Sequence, residues 1–165
     1  MKRNLLIFLI LTGATSYAMA DQSISIKILD YGIAGASDTS REDNKDVISG
    51  YITSGKNITI KETTERIPAT MGINFGFHYL VMSAEDKNIV LDVKVLHPPL
   101  TNPNTQETKV SDEWQERAHC LMFKGFEGWT FDNDWELVPG EWIVQIYYKG
   151  EKLVEKSFVI YKPQI

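Results

Sequence analysis

Apolar and polar residues alternate along most of the chain. Ile24, Ile26 and Ile28 share one face of SISIKIL (23–29), with Ser25 and Lys27 on the other. From Ile67 the odd positions read Ile67, Ala69, Met71, Ile73, Phe75, Phe77, Tyr79 and Val81. The even positions between them include Thr70, Gly72, Asn74, Gly76 and His78, which predicts one long half-buried strand bent at a glycine. After the polar segment SAEDKN (83–88), Ile89, Leu91, Val93 and Val95 alternate with Asp92 and Lys94. Two such strands joined by a short polar turn predict an antiparallel hairpin.

The C-terminal end repeats the design. Trp142, Val144, Ile146 and Tyr148 form an apolar face opposite Glu141, Gln145 and Lys149, and Lys149-Gly150-Glu151-Lys152 turns the chain. The returning strand LVEKSFVIY (153–161) is less regular, because Val154, Phe158 and Ile160 share their face with Lys156. A bulge or an edge position is the expected reason. NITIKET (57–63) and DEWQERAHCLMF (112–123) also read as strands. The stretch AGASDTSREDNKD (34–46) has only small and charged side chains and reads as a long exposed loop.

Some seven short strands, polar turns and no capped helical period predict an all-β fold, an antiparallel β-sandwich. There is no composition break and no fixed-period repeat, so one domain is expected. Within that scheme His97-Pro98-Pro99 reads as architecture. Val95 closes a strand, and two prolines without N–H donors stop the ladder and give a rigid exit toward the other sheet.

The first twenty residues read as a cleaved address. Lys2 and Arg3 precede an apolar run, Leu5 to Leu11, and Ala18-Met19-Ala20 offers the small residues of a signal-peptidase site. The run is too short for a bilayer span, which takes about 20 residues. Cleavage leaves Asp21–Ile165 as the domain, 145 residues, with a soluble periplasmic or secreted location and no membrane insertion. Without Lys2 and Arg3 there are fifteen basic and twenty-two acidic side chains, a net charge of −7. Nucleic acid and anionic lipid repel such a surface, so neither is an expected partner. One cysteine, Cys120, permits no internal disulfide, so the core must hold without staples.

Three segments carry a resemblance: GINFGFHY (72–79), VKVLHPPLTNP (93–103) and GWTFDNDWELVPGEWIVQIYYKGEKLVEKSFVI (128–160). Together they resemble a family of small exported bacterial proteins described only as a domain of unknown function. ELVPGEW followed by GEKLVEKSF also resembles the closing hairpin of bacterial immunoglobulin-like domains. The resemblance implies an immunoglobulin-like sandwich and an export route; it implies no activity and assigns no catalytic residue.

Candidate chemistry is sparse. No G-x-S-x-G surrounds Ser49 or Ser54. His119 and Cys120 are neighbours, and in a strand they point to opposite faces, which separates a nucleophile from its base. His78, His97 and His119 lack zinc spacing. Asp132, Asp134 and Glu136 form a D-x-D-x-E run that suits calcium, although Leu137 and Ile143 stand where a full calcium loop needs glycine and glutamate. Twenty-two acids allow many carboxylate pairs for glycoside hydrolysis, and no spacing singles one out. Trp129, Trp135 and His97 are the candidate binding residues.

These features favour a non-enzymatic interaction module without a cofactor, an accessory or inhibitor-like protein that binds another protein through loops or an open edge. Strand 153–161 is the expected edge, open to a partner or to a second copy as a homodimer. A carbohydrate or cell-wall binding domain built on Trp129 or Trp135 is the alternative, and a hydrolase the third reading.

Overall fold

A computed structural model describes residues 24–83, 89–119 and 122–164. The expected leader, residues 1–20, and Cys120 lie outside the described residues. Among the described residues nine strands run in chain order: β1 Ile24–Asp43, β2 Tyr51–Glu62, β3 Arg66–Pro68, β4 Asn74–Ser83, β5 Ile89–Thr101, β6 Thr108–Ala118, β7 Met122–Thr130, β8 Gly140–Tyr148 and β9 Glu151–Tyr161. A 3-10 turn, Asp134–Glu136, precedes β8. The strands form two sheets, β2-β1-β4-β7 and β3-β9-β8-β5-β6, and the core lies between them. This is the expected sandwich.

The alternating residues supply that core. Phe75, Phe77, Tyr79 and Val81 of β4 are fully buried, as are Leu91, Val93 and Val95 of β5 and Trp142, Val144 and Ile146 of β8. Period two therefore placed these faces correctly. The closing hairpin is also as expected. Lys149 and Gly150 have φ of 50° and 83°, the double positive φ of a two-residue turn whose twist matches its strands.

β1–β2, β5–β6 and β8–β9 pair as sequence neighbours, but other consecutive strands do not. β4 and β5 were expected to pair as a hairpin, yet they lie in different sheets, and residues 84–88 between them lie outside the described residues. Alternation reports which face a strand buries, and a strand crossing to the opposite sheet buries the same kind of face. DEWQERAHCLMF likewise divides into β6 and β7, one in each sheet. The long strand expected from Ile67 is broken by a turn in which Gly72 takes φ of 79°. Its first part, β3, pairs in parallel with the end of β9 through Arg66↔Val159 and Pro68↔Tyr161.

That pairing corrects the expected edge. β3 covers β9 from Val159 to Tyr161, so only the earlier part of β9 has an open side. The irregular Lys156 is explained by packing and not by a bulge at that position. Its ammonium lies 3.7 Å from the centroid of the Tyr31 ring and pairs with Glu65.

His97-Pro98-Pro99 also departs from expectation. β5 does not leave its sheet there; the β6 pairing shifts register between Leu96 and Leu100 and resumes at Leu100↔Lys109. The prolines thus mark a bulge in β5 just past the end of its β8 pairing at Leu96↔Ile143, where a missing donor is tolerated.

The expected loop at 34–46 is mostly strand. β1 continues to Asp43, paired with β2 through Arg41↔Thr53 and Asp43↔Tyr51. Ala36–Asp43 is exposed on both faces, so no hydrophobic period marks it. This outer half of the β1–β2 hairpin forms an arm whose tip, residues 44–50, buries Val47 and Ile48 against the sandwich.

β4 and β7 approach closely at Gly76↔Gly128. A Cβ on Gly128 would stand 1.9 Å from the Phe75 carbonyl oxygen and 2.7 Å from Gly76 Cα. Gly128→Ala is therefore expected to destabilise the fold by about 1–3 kcal/mol, measured by urea unfolding. A midpoint equal to that of the parent would mean the two strands can part freely at this point.

Candidate functional site

Two sets of pins hold the arm over the sandwich. On one side Asp112 accepts the Ile48 N–H at 2.8 Å, Asn102 Nδ2 donates to the Ile48 carbonyl at 2.9 Å, and Lys109 Nζ donates to the Asp46 carbonyl at 2.9 Å. On the other, Asp132 accepts from the Thr53 hydroxyl at 2.8 Å and pairs with Arg41 at 3.2 Å, while Asn133 Nδ2 donates to the Tyr51 hydroxyl at 3.1 Å. Both attachments join residues far apart in the chain.

His97 belongs to the first set. Its Nε2 lies 3.3 Å from Asp112 Oδ2, its Nδ1 lies 2.8 Å from the Pro98 carbonyl oxygen, and both side chains of the His97–Asp112 pair are fully buried. The ring sits among Trp129 and Trp142, with centroids 5.8 and 5.2 Å away. His97 thus steadies the carboxylate that anchors the arm. Asp112→Asn keeps the shape and one acceptor. It is expected to cost about 1–3 kcal/mol, and to speed hydrogen exchange of the Ile48 amide while β4 and β8 amides stay protected. Unchanged Ile48 exchange would show that the tip holds without this bond.

The acidic run does not gather around a common point. Glu136 Oε2 accepts the N–H groups of Asp132 and Asn133 at 2.8 and 3.0 Å, and Oε1 accepts from Asn133 Nδ2 at 3.0 Å. This carboxylate satisfies the start of the 3-10 turn. Burial nonetheless pushes its pKa up, against the opposing effect of those hydrogen bonds. Asp132 holds the arm and Asp134 is exposed. Among the described residues no group of three or more His, Cys, Asp or Glu side chains is placed to hold a metal ion. Trp135 is half-buried and packs on the core.

Between the arm and β7 lies a cleft of about 660 Å³. Its walls combine arm residues (Glu42, Tyr51) with Trp114 and Glu116 of β6 and the Gly125–Thr130 stretch of β7. Glu127 is its chemical centre. It faces the sheet interior with Trp129, is 6% exposed, and accepts hydrogen bonds from Tyr79 Oη at 3.3 Å and Trp114 Nε1 at 3.2 Å. Burial, reinforced by the charge of Glu116, pushes its carboxyl up to about 8 in spite of those two donors. Burial also raises Glu116, and it raises Tyr79 together with both glutamates. Trp129, 9% exposed, lines the same cleft, and its Nε1 has no hydrogen-bond partner.

His78 also lines the cleft. It lies 2.5 Å from Asp30 through Nδ1 and packs edge-on against Phe126. Of the sequence candidates, the structure thus places Trp129 at the cleft, His97 in the interior behind it and Trp135 against the core. Glu127, Glu116, Trp114 and Tyr79 were missed. One signal was available for Glu127: in FKGFEGWT it occupies an inward position of the alternation that ends at Trp129.

A family model described as a domain of unknown function (DUF3859) matches residues 22–160. In structure the chain is similar to an immunoglobulin-like protein from Pseudomonas aeruginosa, with a TM-score of 0.59 and 20% sequence identity. The match covers 86% of this chain and 99% of that one, and at this identity it speaks for the fold alone. No curated protein matches the chain in sequence.

Proposed function

The chain belongs to the DUF3859 family, and we propose that it is an exported, non-enzymatic binding module that engages another protein at the cleft beneath the β1–β2 arm. The observation that carries this reading is the cleft itself: about 660 Å³, aromatic and acidic in its walls, and bridged by an arm pinned on both sides. Aromatic side chains and desolvated polar groups in a concave site are what recognition uses. The leader-like residues 1–20 support export to the periplasm.

A photo-crosslinking side chain at Thr39, which lines the cleft, tests the reading in living cells. One reproducible protein partner is expected from Thr39 and none from the same probe at exposed Lys27, which does not line the cleft. Absence of any adduct at Thr39, in cells where a known periplasmic pair crosslinks, would overturn it. Trp114 favours a saccharide as the second reading, because an indole in an open wall can stack on a sugar ring. A glycan array probed with the purified protein separates the two.

A further inference from the structure

The binding reading leaves the chemistry of the ligand open, and three features of the cleft narrow it. Glu127 is a buried carboxyl flanked by a second acid, Glu116, on the adjoining wall. Aromatic side chains line the same space: Trp114 and Tyr79 both donate to Glu127, and Tyr51 and Phe126 complete the walls. Trp129 Nε1 and Asn74 Oδ1, on residues that also line the cleft, are buried without partners. The charged groups facing this space are mainly acidic: Glu42 and Asp43 from the arm, Glu116 from β6, and Asp132 and Glu136 beyond β7. Lys124 of β7 and His78 on β4 oppose them, as do His119, whose charge acts on Glu116, and Arg41, which lies over the Tyr51 ring and pairs with Asp132.

We propose that the cleft receives an ammonium group, seated on Glu127 and Glu116 among the aromatic walls. A cation drawn out of water is stabilised by a carboxylate, and the aromatic walls strengthen that attraction by excluding solvent. The unused donor of Trp129 suits a peptide carbonyl, and the unused acceptor of Asn74 suits either a peptide N–H or a second amine of a polyamine. Two sources share the chemistry: the side chain of a partner's lysine and a free polyamine. The proposal rests on the cleft being the binding site.

A proton is part of the reaction. With its carboxyl near 8, Glu127 is protonated at neutral pH, and an ammonium ligand requires the carboxylate. Binding therefore expels a proton from Glu127 to the solvent while the ammonium keeps its own. Affinity rises with pH by up to about tenfold per unit below 8 and levels off above it.

Calorimetry of the purified protein at pH 7 tests this with three probes: a short lysine-containing peptide, the same peptide acetylated on its lysine, and spermidine. Titration in two buffers of different ionisation enthalpy is expected to give close to one proton released per amine bound. The acetylated peptide is expected to bind at least about tenfold more weakly. Glu127→Gln should lose both the preference and the proton release, and Glu116→Gln, at a less buried position, should weaken binding without unfolding the protein. Binding of the peptide alone assigns the partner's lysine; binding of spermidine alone assigns the polyamine. Equal binding of acetylated and free lysine, or no binding by either amine, overturns the proposal. If the Thr39 crosslink persists in Glu127→Gln, the cleft is still the binding site and only the ammonium is wrong; if the crosslink is absent from the parent as well, both readings fall.

Discussion

Replacing Trp142 by alanine is expected to lower the free energy of unfolding by about 3–5 kcal/mol, the range for deleting a large buried aromatic. Trp142 lies near the start of β8, is fully buried, and donates its Nε1 hydrogen to the Val138 carbonyl at 3.2 Å. Its ring meets those of Phe75, Phe131 and Trp129 with centroids 6.0, 5.6 and 5.4 Å away. Because Phe75 and Trp129 belong to one sheet and Trp142 to the other, removing the indole opens a hole between the layers. The neighbours cannot refill it without moving both sheets. Chemical denaturation should shift the midpoint at an unchanged slope. Trp135→Ala, at a half-buried position on the rim of the core, should lose markedly less. A Trp142→Ala midpoint close to that of the parent would mean that the inward face of β8 is not the one described.

That contrast illustrates what the sequence makes legible. Trp142, Val144 and Ile146 alternate, and so do Phe75, Phe77 and Tyr79; each set is buried as its period says. Alternation is a local consequence of strand geometry and can be read without knowing the partner strand. The partner is not local. β4 and β5 both carry an apolar face, and nothing in that face distinguishes pairing with each other from facing each other across the core. Ala36–Asp43 was illegible for a different reason: its strand is held by a backbone ladder to β2 and by pins such as Arg41–Asp132, none of which needs apolar side chains.

The site was less legible than the fold. Trp129 could be picked out by type, but the two glutamates that give the cleft its character come from β6 and β7, which lie in different sheets. Among twenty-two acids they meet only through the crossover between those strands. His97 shows the converse. Its residue type invites a chemical role, and its contacts give it a structural one, holding Asp112 against the arm.

The second large effect concerns pH. From about pH 5 to 7.5 Glu127 alone is expected to remove on the order of 1 kcal/mol of stability for each unit that pH rises. In the unfolded chain this carboxyl ionises near its ordinary 4.5, and in the folded protein burial and Glu116 hold it up to about 8. Above 4.5 the unfolded state therefore binds fewer protons than the native one, and stability falls as pH rises. The contribution is whole below 4.5, is progressively lost up to about 8, and changes no further above that. Glu116 and Glu136 are raised in the same direction and steepen the fall. Glu127→Gln carries no proton to lose, so the difference between variant and parent should grow with pH in the variant's favour, as urea unfolding at pH 5, 6, 7 and 8 would reveal. Parallel curves would show that Glu127 ionises as freely in the native protein as in the unfolded chain. The same burial that makes the empty cleft less stable at neutral pH strengthens the attraction of an ionised Glu127 for a cation. A lysine-containing peptide or spermidine should then restore most stability where the parent has lost most, above pH 7, and do least at pH 5.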